Sequence, residues 1–297
     1  MPHQNDATHK PETTAATLPT ALVLGGTGRT GALVAREVSK RGLHARTASR
    51  SGADVKFDWD DVTTYAPALD GADRVYLVTP VMRTKFVHRV VEFLDLATVS
   101  GVRHVTYLSA YGSDRAPAEV DIRAVERELA RRSEFSHSIL RAAWVMQNFS
   151  DQHLPLLGDA FIVPTGGGKE AFVDAQDIAA IAVETLVDPD GHAGAQYAPT
   201  GPEALTVAEV AEIVASVIRR PVVHNDIDPN VWINGAVEAG FVPADYAVML
   251  RWLTGTVISG NGARPNGDVE KVTGRPATSF RDFAERNVAA WAPQPVG

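Results

Sequence analysis

A glycine-rich turn between an apolar segment and a helical pattern constrains the fold of this chain more than any other feature. The apolar segment is Ala21–Leu24, the turn reads GGTGRTG at 25–31, and Leu33, Val34 and Val38 follow at helical spacing. Glycines spaced G-x-G-x-x-G in a strand–turn–helix unit allow a tight turn, close approach of a pyrophosphate and close helix packing. The helix start then offers backbone N–H groups to phosphate. We therefore predict dinucleotide binding here, rather than an ordinary turn of a parallel sheet.

The residues at the end of the second predicted strand indicate which dinucleotide binds. An NAD site usually places an acidic residue about 20 residues after the glycines, where it holds the ribose 2′-hydroxyl. Here Ser49 and Arg50 occupy that place, and the first acid is Asp54, beyond the turn. A guanidinium is suited to a 2′-phosphate, and the alternative is that Arg50 is a solvated loop residue. We predict NADP(H) as the cofactor.

Strand and helix patterns alternate along the first half of the chain. Apolar segments at 43–48, 55–59, 74–80, 104–109 and 138–141 alternate with helical patterns, the clearest of which span 86–99 and 120–132. This alternation predicts an α/β fold, a Rossmann-type doubly wound parallel sheet with a smaller C-terminal substrate lobe.

The expected domain organisation follows from the same patterns. Residues 1–18 are polar and Thr-rich and are predicted to form a disordered tail. Residues 19–150 form the predicted cofactor-binding lobe, to which 172–200 return, while 151–171 and 201–297 form the smaller substrate lobe. Within that lobe, Thr206 and Glu209 have the spacing of a capping box at a helix start.

Ligands of open α/β sheets bind outside the carboxyl ends of the strands. Phe57 and Asp58, after the third strand, are therefore candidate adenine contacts. Thr79 and Pro80, after the fourth, are predicted to lie beside the nicotinamide ribose.

Composition excludes several classes of protein and site. The chain has no cysteine, which removes disulfides, thiolate nucleophiles and cysteine-containing metal sites, and its histidines show no ligand spacing. Its formal net charge is −8, which argues against nucleic acid or an anionic membrane as the main partner. No run has the length and apolarity of a signal peptide or a membrane span. We expect a cytoplasmic monomer or homodimer acting on a small molecule, with no metal.

Six segments of the sequence resemble the NmrA-like group of atypical short-chain dehydrogenases. They are GGTGRTG at 25–31, YLSAYG at 107–112, VERELARRS at 125–133, SILRAAWVMQNF at 138–149, FVDAQDIAAIA at 172–182 and TGRPATSFRDFAERN at 273–287. Within the group, FDWDD at 57–61 and YLVTP at 76–80 are most similar to the ergot-alkaloid reductase branch, to which festuclavine and agroclavine dehydrogenases belong.

The resemblance implies an NADP(H)-binding lobe with a smaller part closing over a substrate cleft. It also implies roles for individual residues. The phosphate loop would comprise Gly25, Thr27, Gly28, Arg29, Thr30 and Gly31. Arg50 matches the basic residue that receives the 2′-phosphate, and Trp144, Asn148 and Phe149 fall in the segment that lines the cleft.

The chain lacks the Tyr-x-x-x-Lys pair with which short-chain dehydrogenases commonly protonate a carbonyl oxygen. None of its six tyrosines is followed by lysine at the fourth position. Tyr111 and Ser109, at the end of the fifth strand, are the remaining candidates for a catalytic role. Each also has an ordinary structural interpretation, Tyr111 as a packed surface aromatic and Ser109 as a loop cap.

The missing pair has two interpretations. An iminium or similarly activated C=N or C=C acceptor needs little proton donation, so positioning of the nicotinamide would supply most of the catalysis. This predicts an NADPH-dependent reductase of specialised, alkaloid-like metabolism, with an NAD(P)H:quinone oxidoreductase as the nearest enzymatic alternative. The second interpretation is a non-catalytic, redox-sensing regulator that binds NADP(H).

Overall fold

The computed structural model describes residues 18–151 and 153–292, so the predicted tail lies almost entirely outside the described residues. The strands are β1 Thr20–Leu24, β2 His44–Ser49, β3 Val55–Lys56, β4 Arg74–Leu77, β5 His104–Ala110, β6 Ser136–Ala142, β7 Leu156–Leu157, β8 Ala160–Ile162, β9 Gln196–Tyr197 and β10 Val223–Asn225. The helices are α1 Gly31–Lys40, α2 Tyr65–Leu69, α3 Val87–Val99, α4 Asp121–Arg131, α5 Ala175–Val187, α6 Val207–Ile218, α7 Pro229–Glu238, α8 Ala247–Ile258, α9 Asp268–Thr273 and α10 Phe280–Arg286.

The main sheet has seven parallel strands in the order β3-β2-β1-β4-β5-β6-β9. From β1 the chain builds outward through β2 and β3, and it then crosses back to place β4 on the other side of β1. This reversal of direction opens a crevice at the carboxyl ends of β1 and β4, where doubly wound sheets bind their ligands. The predicted Rossmann-type fold is confirmed.

Helices cover both faces of this sheet because its central strands are apolar on both sides. On β1, Leu22 and Leu24 point into one core with residues of α2, α3 and α4. Ala21 and Val23 point into the opposite core, which α1 and α5 complete. The predicted helices at 86–99 and 120–132 are confirmed to within one residue at each end.

A second, three-stranded sheet, ordered β10-β8-β7, belongs to the C-terminal part of the structure. Its core combines α6 and α10 with an aromatic cluster that includes Phe161, Phe172 and Phe280. The predicted capping box is present at the start of α6, where Thr206 accepts from the N–H of Glu209 and the Glu209 carboxylate accepts in return. No helix within the described ranges is long and apolar enough to cross a membrane.

The third strand is shorter than the segment 55–59 predicted for it. Only Val55 and Lys56 pair with β2. Phe57 then turns inward, where its ring stacks on Tyr65 at 5.2 Å and meets Phe93 edge-on at 5.5 Å. The Phe57 N–H still donates to the Ser49 carbonyl at 2.9 Å, and the chain leaves β2 after this bond.

Candidate functional site

The predicted phosphate-binding loop joins β1 to α1 at the point where the sheet reverses direction. Gly25 has φ +65°, a conformation that L side chains rarely adopt. A Cβ at Gly31 would collide with the carbonyl oxygen of Gly25, and one at Gly26 would lie 2.6 Å from Thr47 Cβ. The loop therefore requires glycine at these positions, and its backbone is left open to a ligand.

The start of α1 has no side-chain cap, and of its first N–H groups that of Ala32 donates to the Gly28 carbonyl at 3.1 Å. Thr30 stands at the N-cap position without a side-chain capping hydrogen bond, and the first turn carries no acidic residue. By contrast, α5 and α6 are capped by their own side chains, Asp174 and Thr206. Uncapped N–H groups and the positive end of a helix dipole suit a phosphate. The glycine loop and this helix start thus fit the pyrophosphate of a dinucleotide.

The end of β2 offers a cation and no free carboxylate for the adenosine ribose. Arg50 is exposed directly after β2. The carboxylate of Asp54 turns back onto the strand, where Oδ2 accepts from the Thr47 N–H and hydroxyl, both at 2.8 Å. These hydrogen bonds lower the pKa of Asp54. Asp54 therefore anchors the loop, and this edge of the site favours a ribose that carries an additional anionic group.

Arg29 links the glycine loop to the segment after β6. Its guanidinium donates to Asn148 Oδ1 at 2.9 Å, pairs with the Asp151 carboxylate and lies 3.0 Å from His153 Nδ1. Burial acts to raise the pKa of Asp151, but hydrogen bonds from His153 and the charge of Arg29 hold it below its ordinary value. Arg29 and Asn148, predicted in the phosphate loop and in the cleft wall, therefore lie in direct contact.

Ser109 belongs to a buried polar network at the end of β5. Its hydroxyl donates to Glu126 Oε1 at 2.6 Å and lies 3.0 Å from that of Ser113. Arg141 donates to both Glu126 oxygens at 2.9 Å, and Arg123 adds a contact of 2.7 Å. Burial alone would raise the pKa of Glu126, but these donors lower it.

The network changes the interpretation of Ser109. Only 5% of this residue is exposed, and its hydroxyl is engaged by an anion. The structure gives Ser109 a structural role, in which its hydroxyl holds Glu126, and a catalytic role for it stays a prediction. The sequence did carry a signal for Glu126, because it shares the inner stripe of α4 with Ile122 and Leu129, where an acidic residue needs a buried partner.

Tyr111 is the predicted catalytic residue that remains accessible. It follows β5 directly, is partly exposed, and its N–H donates to the Ala142 carbonyl at 2.8 Å. The guanidinium of Arg115 lies over its ring, 5.5 Å from the centroid. Four positions before Tyr111, the hydroxyl of Tyr107 is buried without a partner among the described residues. Burial and the charge of Glu126 raise the pKa of Tyr107, so its phenol is neutral.

Two predicted aromatic contacts lie in hydrophobic cores. Phe57 is 4% exposed within its cluster, so its side chain is not a surface for adenine; Asp58, beside it, is partly exposed. Phe149 is 1% exposed and packs edge-on against Phe161 and Phe172 at 5.3 and 5.1 Å. The structure thus corrects both predictions, because each ring is needed to fill a core.

Thr79, Pro80 and Trp144 are all partly exposed. Thr79 and Pro80 follow β4 at the carboxyl edge of the sheet, as predicted. Trp144 packs in part on the core of the C-terminal sheet, and its backbone N–H donates to Glu170 Oε1 at 3.4 Å. Glu170, 2% exposed, also accepts from the N–H of Ala263 at 2.8 Å, and burial raises its pKa to about 7.

Two further carboxylates, Asp174 and Asp177, attach the C-terminal segment. Asp174 does cap α5, but it also pairs with Arg286 at 2.5 Å. Asp177 pairs with Arg275 at 2.7 Å and accepts from the N–H of Thr278 at 2.7 Å. Both carboxylates are fully buried. Buried acids require cationic or N–H partners. The arginines of the segment 273–287 were therefore the sequence signal that this segment pairs with Asp174 and Asp177.

Comparison with known proteins gives a consistent family. The model of the NmrA-like family matches residues 19–254. The chain is 34% identical to the Bacillus subtilis protein named uncharacterized oxidoreductase YesF, over 91% of this chain and 96% of that protein. It is 30% identical to a festuclavine dehydrogenase of Aspergillus fumigatus, over 92% and 99%. A crystal structure of an NADPH-dependent quinone oxidoreductase of Escherichia coli with NADPH superimposes with a TM-score of 0.73 at 20% identity, covering 90% of this chain and 99% of that one.

Proposed function

This chain belongs to the NmrA-like family, and we propose that it is an NADPH-dependent reductase that transfers hydride to an iminium or similarly activated C=N or C=C acceptor. The observation that carries the proposal is a pair of positions that suit anions at the carboxyl edge of the sheet. They are the start of α1, which has no side-chain cap, and Arg50, which follows β2. Its relatives named as a festuclavine dehydrogenase and an oxidoreductase support a reductive activity.

Different residues would bind different parts of the cofactor. The glycine loop and the N–H groups at the start of α1 would hold the pyrophosphate, Arg50 would pair with the 2′-phosphate, and Thr79 and Pro80 would contact the nicotinamide ribose. Arg29 fixes the loop relative to Asn148, so that the substrate side of the crevice is positioned with the cofactor side. When bound, the reduced nicotinamide supplies the hydride.

The side chains near β5 include no Tyr-x-x-x-Lys pair to donate a proton, which agrees with an acceptor that is already electron-poor. No tyrosine is followed by a lysine at the fourth position, and Ser109 is engaged by Glu126. An iminium carbon carries the positive charge that a hydride neutralises, so the protein need only exclude water and orient the acceptor. Tyr111 then forms a wall of the crevice, without a required proton transfer.

The proposal is tested with purified wild-type protein, the Tyr111→Phe variant, NADPH and a panel of cyclic iminium ions. We expect the wild type to oxidise NADPH and the variant to retain its rate within a few-fold. A general acid typically contributes a factor of about 10² or more. A loss of that size in Tyr111→Phe would overturn the mechanism without a proton donor, and absence of turnover across the panel would overturn the iminium substrate.

A quinone is the second candidate acceptor, favoured by the structural similarity to a quinone oxidoreductase. Menadione in the same assay separates the two activities. Reduction of menadione with no reaction of iminium ions would assign the quinone activity. Tight NADP(H) binding with no acceptor reduced would instead favour a redox-sensing regulator.

A further inference from the structure

An open groove lies beside Tyr111, between the loop after β5 and the second half of α8. Its volume is about 530 Å³, and its lining includes Gly112, Arg115, Arg251, Trp252 and Thr256. Gly112 and Arg115 follow β5 at its carboxyl end, the edge of the sheet at which doubly wound folds bind their ligands.

Among the described residues that line this groove, Arg115 and Arg251 are the charged ones. Within the described part of the chain, neither guanidinium pairs with a carboxylate: Arg115 lies over the ring of Tyr111, and Arg251 Nε donates to Asn230 Oδ1 at 3.2 Å. Both arginines are exposed and retain free N–H donors. The lining of this groove is therefore positively charged, although the formal net charge of the chain is −8.

The position of Arg115 follows from the glycine before it. Gly112 has φ +81°, and a Cβ there would lie 2.9 Å from Arg115 Nη2. Glycine therefore lets the guanidinium fold back over the loop and face the groove. On the opposite wall, the partly exposed indole of Trp252 offers a flat surface to a conjugated ring.

The groove is distinct from the site proposed for the 2′-phosphate. Arg50 follows β2, whereas Arg115 follows β5, and β1 and β4 lie between those strands in the sheet. The distance between β2 and β5 across the sheet is three strand spacings, or about 14 Å. The two cationic positions would therefore contact different parts of a ternary complex.

We propose that this groove binds the carboxylate or sulfonate of a planar, conjugated acceptor, with Arg115 and Arg251 holding the anion and Trp252 stacking on the ring. That the ligand is the hydride acceptor rests on the proposed reductase function. The proposal narrows the substrate class to molecules that carry an anionic group away from the reacting carbon. It predicts that a net-cationic ring system is bound less well than its anionic counterpart.

The test measures binding, so that it does not depend on turnover. Calorimetry in the presence of NADP⁺ compares naphthalene-2-sulfonate with the neutral naphthalene-2-sulfonamide. We expect the sulfonate to bind more tightly, with a preference that falls about fivefold for each arginine removed in Arg115→Gln and Arg251→Gln and that weakens with added salt. Arg127→Gln, an exposed position on α4, is the matched control and should keep the preference.

Equal binding of the two compounds, no binding of either, or a preference that survives in the double variant would overturn the inference. A parallel assay compares reduction of 1,4-naphthoquinone and its 2-sulfonate. If the wild type reduces neither quinone nor any iminium ion, the proposed function fails, while the binding preference still decides whether the groove takes anions.

Discussion

Glu170 allows a sharp test of the packing between the two halves of the molecule. Glu170 is 2% exposed, and within the described ranges its carboxyl accepts from two backbone N–H groups, those of Ala263 at 2.8 Å and Trp144 at 3.4 Å. Burial is the main cause that raises its pKa from 4.5 to about 7. Glu170→Gln keeps the shape of the side chain and fixes it in the neutral state that burial favours.

The sign of the effect follows from linkage between proton binding and folding. Because the folded state holds the proton more tightly than the unfolded chain, the contribution of Glu170 to stability is fully present below pH 4.5 and is lost as the pH rises through about 7. A tenfold change in proton affinity is worth about 1.4 kcal/mol, so the complete loss is about 3 kcal/mol. The Gln variant lacks this pH dependence.

Urea unfolding of wild type and Glu170→Gln across this pH range measures the difference directly. The Gln amide has one acceptor oxygen, so its NH₂ group faces one of the two N–H donors at a cost that does not vary with pH. We expect the stability of the variant relative to wild type to increase by about 3 kcal/mol between the acidic end and about pH 8. Glu212→Gln, at an exposed position of α6, is the matched control and should follow the wild type. A constant difference between wild type and Glu170→Gln at all pH values would refute the assignment of a neutral buried carboxyl.

Three further substitutions test the cofactor site and the helices. Arg50→Ala should raise the KM for NADPH by about tenfold to a hundredfold and leave that for NADH unchanged, as expected for loss of charge-assisted hydrogen bonds; equal effects on both would remove the 2′-phosphate assignment. Gly31→Ala should abolish NADPH binding in calorimetry, because its Cβ collides with the Gly25 carbonyl. Gly235→Ala, inside α7 with open space around its Cβ, should raise the free energy of unfolding by about 1 kcal/mol, and destabilisation would contradict that packing.

Sequence patterns predicted the parts of the fold that depend on local chemistry. The glycine loop, the alternation around β1 to β6, the helix ends near Val87 and Arg131 and the Thr206 cap all follow from periodicity and capping. Each is determined by residues close together in the chain, so one sequence is enough to identify it.

The contacts that complete the site join residues far apart in the chain. Arg29 and Asp151 are 122 residues apart, and no local pattern pairs them. Asn148 and Phe149 lie in the 3₁₀ turn Met146–Phe149, where one side chain faces Arg29 and the next enters the core. Because such a short turn lacks a regular periodicity, the sequence could place the segment near the cleft but not assign its directions.

The central claim is direct hydride transfer from NADPH to an activated acceptor in the crevice beside β1 and β4. The most direct measurement incubates the protein with NADPH deuterated at nicotinamide C4 and a cyclic iminium ion, and determines by mass spectrometry where the label goes. We expect deuterium on the former iminium carbon when the transferred face of the nicotinamide is labelled, with none taken up there from heavy water. Product without the label for either face, or NADPH bound and never consumed, would contradict it.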